Sequence, residues 1–302
     1  MIHRHYISKL TSNISAPMHI LLKNTIMIGY HDLGRREMKS NMLKKLRCPK
    51  CKNQIIIPPN TELIDAEIAC KKGHVWNMEG EILSCVYPPI SEEDKRWIDE
   101  YDELAPKYDD LVKQYDDFLG ADISSGREDL LKFIPKKSSV SILDVCIGTA
   151  ANFEALAPHI RKNEPRFDLY GIDLSTGMLQ VSKSKMNQLK LPVALLHASV
   201  FNMPFRKSQF DLVIHTGGIN TFSDISEALK EMLRVAKPEG TILVIDEGLS
   251  PKVRGTDRGK AIVEANALFA AKPPLEQIPE KAKDVEVDYI YNGTFYQLVF
   301  KK

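Results

Sequence analysis

Two sets of residues in this chain have the types and spacing to do chemistry. The first is Cys48-Pro-Lys-Cys51 followed by Cys70-Lys-Lys-Gly-His74. Thiolate sulfur and imidazole nitrogen are the donors zinc favours, and two knuckles offering two donors each can close a tetrahedron. Pro49 and Gly73 suit the tight turns this needs. The other reading is four reduced side chains without a metal. Cys85 is a leftover thiol that could replace His74 as fourth ligand. The second set starts at Asp144-Val-Cys-Ile-Gly148-Thr-Ala150, where an apolar run from Val140 to Val145 ends in small residues. A strand, a small-residue turn and a helix with free N-terminal amides let a nucleotide-like ligand approach the backbone. Asp173 ends the next apolar run, where an acidic residue grips the two hydroxyls of a ribose. Asp173 would also serve as a helix N-cap, a task Ser175 can perform instead.

The elements that must position these residues alternate. Short β-branched runs predict strands at 141–145, 168–172, 193–197, 210–215 and 240–246, and helical patterns fall at 152–160, 176–189 and 225–236. Strands alternating with helices of this length imply a parallel sheet covered on both faces. The chain ends differently: Val285–Tyr291 and Thr294–Phe300 alternate about Asn292-Gly293, a hairpin signal. Residues 42–90 form a small unit in which Ile55-Ile-Ile and Ala66-Glu-Ile-Ala read as strands joined through Pro58-Pro59-Asn60. A unit this small buries little apolar surface, so a structural metal would supply what its core lacks.

Ile142-Leu-Asp-Val-Cys-Ile-Gly-Thr-Ala resembles the first motif of class I S-adenosylmethionine (SAM) methyltransferases, and Gly171-Ile-Asp-Leu-Ser resembles their second. His197-Ala-Ser-Val-Phe-Asn-Met-Pro-Phe, Phe210-Asp-Leu-Val-Ile and Leu233-Arg-Val-Ala-Lys-Pro-Glu-Gly continue in the same order. The resemblance covers roughly Tyr101–Lys302 and is nearest to the ubiquinone/menaquinone-biosynthesis type. It implies an α/β, doubly wound, Rossmann-like fold with a mostly parallel seven-stranded sheet ending in an antiparallel hairpin, preceded here by the ribbon. It also implies SAM as cofactor. The loop Asp144, Ile147, Gly148, Thr149, Ala150 would hold the methionine end, and Asp173 the ribose. Leu174 and Met178 would lie beside the adenine, Ser199 and Val200 at its edge, and His215 would open the loop lining the transfer cleft. Cys146 and Ala150 replace motif glycines, and Ser199 replaces the common Asp that meets the adenine amino group. Tyr101 and Tyr108 fall in a lead segment that covers the cofactor in this family, and the insert 250–280 falls where its members cover substrate. His215 is a candidate base by type; the catalytic residues are otherwise unassigned.

The unit 42–90 resembles the zinc ribbon ahead of the ribosomal RNA guanine methyltransferases, with Trp76 and Gly80 at the matching aromatic and glycine. Three functions follow. The first is methyl transfer to a small-molecule or lipid-like acceptor, the second is RNA methylation using the ribbon, and the third is a non-catalytic SAM-binding or interaction protein. A formal net charge of +1 supplies no global basic field for nucleic acid. Asp99, Glu100, Asp102, Glu103, Asp109, Asp110, Asp116 and Asp117 make the lead segment acidic, which favours a small molecule over RNA. No Asn-Pro-Pro-Phe or Asp-Pro-Pro-Tyr run follows the fourth strand, which speaks against DNA bases as acceptors. The apolar runs are too short for a membrane span. Residues 1–41 carry no acid before Asp32 and read as a disordered tail, a start placed too early, or a transit segment. The expected compartment is the cytoplasm, or an organelle matrix if that segment is a transit peptide.

Overall fold

A computed structural model describes residues 44–56, 64–162 and 165–302. The segment 1–41 and the Pro58–Asn60 turn lie outside these residues. The N-terminal unit forms β1 (Ile55–Ile56), β2 (Glu67–Cys70), β3 (Val75–Glu79) and β4 (Ile82–Ser84). Helix α1 (Glu92–Leu104) begins where the Ser91 side chain accepts from the Asp94 amide, with three acids in its first turn complementing the helix dipole. Helix α2 (Tyr108–Leu119) ends at Gly120, whose φ of 55° is the left-handed conformation glycine adopts at no steric cost.

The alternating half then runs β5 (Ser139–Val145), α3 (Ala151–Ile160), β6 (Arg166–Asp173), α4 (Thr176–Gln188), β7 (Val193–His197), β8 (Phe210–Thr216), α5 (Ile225–Val235) and β9 (Ala236–Glu247). Helix α6 (Asp257–Ala265) occupies the insert, and β10 (Lys283–Ile290) and β11 (Phe295–Lys301) form the closing hairpin. The expected strands and helices are present with ends shifted by a few residues. The hairpin turn is a three-residue 3-10 turn, Tyr291–Gly293, rather than Asn-Gly alone.

The order β7-β6-β5-β8-β9-β11-β10 is the doubly wound sheet, parallel except where β11 runs against β9 and β10. Beyond the expected seven strands, the sheet continues through β4, β3, β2 and β1, to eleven strands among the described residues. Strand β4 pairs in parallel with β7, Leu83 opposite Leu196 and Ser84 opposite His197. The N-terminal unit therefore hydrogen-bonds directly onto the sheet edge.

Alternation along β5 sorts the core into two layers. Val140 and Ile142 face a cluster with Phe153, Leu156 and Leu179, while Leu143 and Val145 face one with Tyr170, Leu229 and Met232. The second layer also contains Leu46, Ile68, Met78, Leu83 and Cys85, so the N-terminal strands share a core with the sheet they extend.

That sharing is measurable at Leu83, which is 0% exposed. Leu83→Ala should destabilise the protein by about 2–5 kcal/mol, the range for a fully buried leucine. Urea unfolding followed by far-UV circular dichroism reads this. A loss below about 1 kcal/mol would mean the N-terminal strands dock without bearing on the main core.

Candidate functional site

The carboxyl ends of the parallel strands deliver the site. After β5 the chain makes a tight loop in which Cys146, Gly148 and Ala150 all have positive φ, at 55°, 55° and 62°. Gly148 suits this conformation, while a side chain at Cys146 and Ala150 carries strain of order 1 kcal/mol each. A Cβ built at Gly148 meets nothing within 4 Å, so the bare backbone faces open space that a ligand can enter. Gly171 on β6 has the opposite role. A Cβ there would lie 2.3 Å from Ile147 Cδ1, so only glycine lets the loop close onto β6.

Asp173 joins the two motifs. Its carboxylate accepts from the Gly148 amide at 2.8 Å and the Ser175 amide at 2.9 Å. Ser175 itself caps α4 by accepting from the Met178 amide at 3.0 Å. Burial pushes the Asp173 carboxyl up to about 6 against the pull of those amides. Asp144 is 0% exposed and accepts from Asn152 Nδ2 at 3.1 and 3.2 Å, a side chain rather than backbone amides. Burial raises its carboxyl to about 7.

The lead helices close over this loop through polar contacts. Asp102 Oδ1 accepts from Ser175 Oγ at 2.6 Å and the Gly177 amide at 2.7 Å. Asp109 accepts from Thr149 Oγ1 at 2.6 Å and pairs with Lys185 at 2.6 Å. Two acids read as surface charge thus anchor α1 and α2. Tyr101 and Tyr108 meet edge to face, their ring centroids 6.0 Å apart.

Two cavities result. A cleft of ≈ 130 Å³ is lined by Ile147, Gly148, Thr149, Asp173, Leu174, Met178 and Val200, with Trp97, Ala198 and Phe201 beside them. Asp144, Ala150, Ser199 and His215 lie behind this lining. Ser199 caps the next turn by accepting from the Phe201 amide at 3.2 Å. His215 is fully buried, with Nδ1 3.0 Å from the Val145 carbonyl. That contact requires Nδ1 to carry the hydrogen, and Nε2 has no partner. Burial lowers its pKa to about 4, so the ring is neutral near pH 7.

The second cavity, ≈ 990 Å³, is walled by Leu104, Leu111, Val112, Tyr115, Leu268 and Phe295 among others, with Glu247 at its edge. Both cavities touch Trp97, Tyr101, Tyr108, Arg127, Asn152, Thr216 and Gly217. Arg127 Nη1 donates to Asn152 Oδ1 at 2.5 Å and Thr216 Oγ1 at 3.2 Å, which places a cation at the partition. Sequence reasoning missed Arg127, which lies in a 3-10 stretch with no helical period to signal a face. Trp97, one turn of α1 before Tyr101, was missed as well.

At the N-terminal unit the donor atoms of Cys48, Cys51, Cys70 and His74 all lie within 4.8 Å of one another. Cys48 Sγ and Cys70 Sγ each stand 3.5 Å from His74 Nδ1, and Cys51 Sγ stands 3.5 Å from Cys70 Sγ. Those separations match the edges of a tetrahedron with bonds of about 2.0–2.3 Å, so the donor set fits zinc. Cys85 lies outside the cluster, and burial pushes its thiol well above the ordinary range.

Residues 93–255 match the model of the ubiE/COQ5 methyltransferase family. This chain belongs to the ubiE/COQ5 methyltransferase family. It is 37% identical over 121 residues to a demethylmenaquinone methyltransferase of Geobacillus sp. (strain WCH70), covering 40% of this chain and 50% of that protein. It is 34% identical over 121 residues to the one of Bacillus mycoides (strain KBAB4), with the same shares covered. The chain spans about half the length of the curated relatives it matches. Among solved structures, a SAM-dependent methyltransferase from Aquifex aeolicus superposes with a TM-score of 0.44 at 20% identity, covering 63% of this chain and 96% of that one. Among the described residues no helix is long and apolar enough to cross a membrane.

The buried carboxylates of this ubiE/COQ5 site make its stability pH-dependent. Asp144 is held near 7, above its unfolded value of about 4. The folded state therefore binds the extra proton, and the Asp144 contribution to stability is lost as pH rises from about 4 to 7. Asp144→Asn should remove that slope. The variant should gain roughly 2–4 kcal/mol on the wild type between pH 4.5 and 8, read from urea midpoints. Parallel curves for the two proteins would show that Asp144 does not titrate in this window.

Proposed function

We propose that this chain transfers a methyl group from SAM to a quinone-type acceptor ring. The observation that carries the reading is the pairing of a small, glycine-opened cleft with a large, mostly apolar cavity across a partition that contains Arg127. Family membership and relatives named demethylmenaquinone methyltransferase support the same acceptor class. A cavity of ≈ 990 Å³ walled by aliphatic and aromatic side chains suits an apolar ring with a hydrocarbon tail. It offers no row of cations to a phosphate backbone.

When bound, SAM supplies an electrophilic methyl on sulfur. The residues of the chain do the rest. Asp173 takes the ribose hydroxyls, and the exposed backbone at Gly148 receives the methionine portion. Leu174, Met178 and Val200 flank the adenine. Tyr101 and Tyr108 exclude water at the junction of the two cavities. The Arg127 guanidinium stabilises negative charge on an acceptor oxygen, which makes the ring the better nucleophile. Glu247, at the end of β9 in the larger cavity, is the carboxylate placed to take the proton the acceptor releases. His215 supports the loop from below, since its one N–H is held by Val145. The cluster Cys48, Cys51, Cys70, His74 holds a structural zinc.

Tritiated methyl from SAM should enter a solvent-extractable product when the protein is given a reduced naphthoquinone lacking its ring methyl. Arg127→Ala should lower kcat by about 10²-fold, as loss of one charge-stabilising donor does. Label appearing in RNA and not in the quinone fraction would overturn the reading.

Asp173→Ala should weaken binding of S-adenosylhomocysteine by about 1.5–3 kcal/mol, the value of a hydrogen bond to a charged group. Because Asp173 titrates at about 6, wild-type affinity should be flat above pH 7 and fall as the carboxylate takes its proton below that value. Asp173→Asn should lack the step. Calorimetry giving one affinity for wild type and variants would remove Asp173 from the cofactor site.

A further inference from the structure

Asn202 ends the 3-10 turn Val200–Asn202, whose first two residues, Val200 and Phe201, line the cleft. Its side chain bonds to the N-terminal unit. Nδ2 donates to the Pro49 carbonyl at 3.0 Å and the Tyr87 carbonyl at 2.8 Å, and Oδ1 accepts from Lys52 Nζ. Pro49 lies between Cys48 and Cys51, and Lys52 follows Cys51. Three of the four hydrogen bonds an amide can make thus go to the cysteine knuckle and the segment after β4.

The backbone on either side is held by the same unit. The Cys85 amide donates to the His197 carbonyl at 2.8 Å, immediately before Ala198 of the cleft. Ser84 Oγ and His197 Nδ1 stand 3.0 Å apart. Further along, the Arg47 amide donates to the Pro204 carbonyl at 2.9 Å and the Arg206 amide to the Lys45 carbonyl at 2.8 Å. The segment from His197 to Arg206 is thus clamped along one side by the metal cluster's own scaffold, while Ala198, Val200 and Phe201 form cleft wall.

We propose that Asn202 is a positioning residue that couples metal occupancy at Cys48, Cys51, Cys70 and His74 to cofactor affinity in the cleft. The proposal rests on reading the cleft as a SAM site and the cluster as a zinc site. With zinc bound, the knuckle is fixed and the Pro49 carbonyl holds Asn202, which sets Val200 and Phe201 against the adenine end. Without zinc, no bond joins the four donors, the knuckle loosens, Asn202 loses an acceptor, and the wall moves. Coupling of this kind is reciprocal: bound cofactor must tighten zinc by the factor by which zinc tightens cofactor.

The test uses the full chain with one zinc per chain verified by elemental analysis. Zinc affinity is measured by competition with a chromogenic chelator, with and without saturating S-adenosylhomocysteine. Calorimetry gives the affinity for S-adenosylhomocysteine with and without zinc. In the wild type each ligand should tighten the other by about fivefold or more. In Asn202→Ala both should still bind, with the coupling gone. Asn202→Asp keeps the size and the acceptor for Lys52 but lacks the Nδ2 donor, and should lose the coupling as well. Wild-type zinc affinity unchanged by S-adenosylhomocysteine, or coupling retained in both variants, would overturn the proposal while leaving the two sites standing. Failure to bind S-adenosylhomocysteine would remove the cofactor reading and this proposal together, and absence of zinc would do the same to the metal reading.

Discussion

The crowding of three buried carboxylates at one edge of the sheet is the constraint the site is built around. Parallel alignment brings Asp144 of β5, Asp173 of β6 and Asp246 of β9 to the same end, each almost fully buried. Burial raises all three carboxyls, and an acidic neighbour adds to it in each case: Asp173 for Asp144, Asp102 for Asp173 and Glu247 for Asp246. Each is answered by a different set of donors. Asn152 serves Asp144, the amides of Gly148 and Ser175 serve Asp173, and Asn220 with the Glu247 amide serves Asp246. The Arg127 guanidinium, in the partition, draws the Asp144 carboxyl part of the way back down. These donors offset only part of the desolvation, so the edge favours an added positive charge. The proposed cofactor carries one on sulfur and one on its amino group, and protons compete for the same carboxylates.

The loop after β5 shows which part of a glycine motif is chemistry and which is geometry. Its three left-handed residues are Cys146, Gly148 and Ala150, and only the middle one is glycine. Side chains are tolerated at the outer two because the surrounding hydrogen bonds fix the backbone. The Ile147 amide donates to the Ile172 carbonyl at 3.0 Å and the Ala150 amide to the Ile147 carbonyl at 2.9 Å. At Gly148 the requirement is space, because anything there would occupy the cleft itself.

The parallel strands were legible because burial on both faces demands runs such as Val140–Val145, which helices rarely show. The metal cluster was legible because its donors are rare residues at fixed spacing. The docking of β4 onto β7 was not, because a sheet edge carries no signature. Leu83 and Leu196 look like any two buried leucines until they are paired. Nor could a sequence separate Asp102 and Asp109, which anchor helices, from the other acids of the lead segment. That distinction depends on what lies opposite, Ser175 and Gly177 for one and Thr149 and Lys185 for the other. It also tempers the electrostatic case against RNA, since Asp102, Asp109, Asp110 and Asp116 among the acids counted there already have partners. The apolar larger cavity carries the argument for a small acceptor more directly.

These anchors bear on how the cleft admits a ligand. At ≈ 130 Å³ it is smaller than the roughly 300–1,000 Å³ of ordinary small-molecule sites. Something must move to admit a nucleoside-sized molecule, and α1, whose Trp97 and Tyr101 line the cleft, is only loosely held by the core. None of its residues is fully buried. Its polar ties to the cleft are the hydrogen bonds from Ser175 and Gly177 to Asp102 and from Ser223 to Asp94, and α2 is tied through Asp109. Few apolar contacts and a small number of polar ties mark an element that opens at modest cost. The ties to Asp102 and Asp109 end at the loops after β5 and β6, so a ligand that shifts those loops also loosens the helix carrying Tyr101.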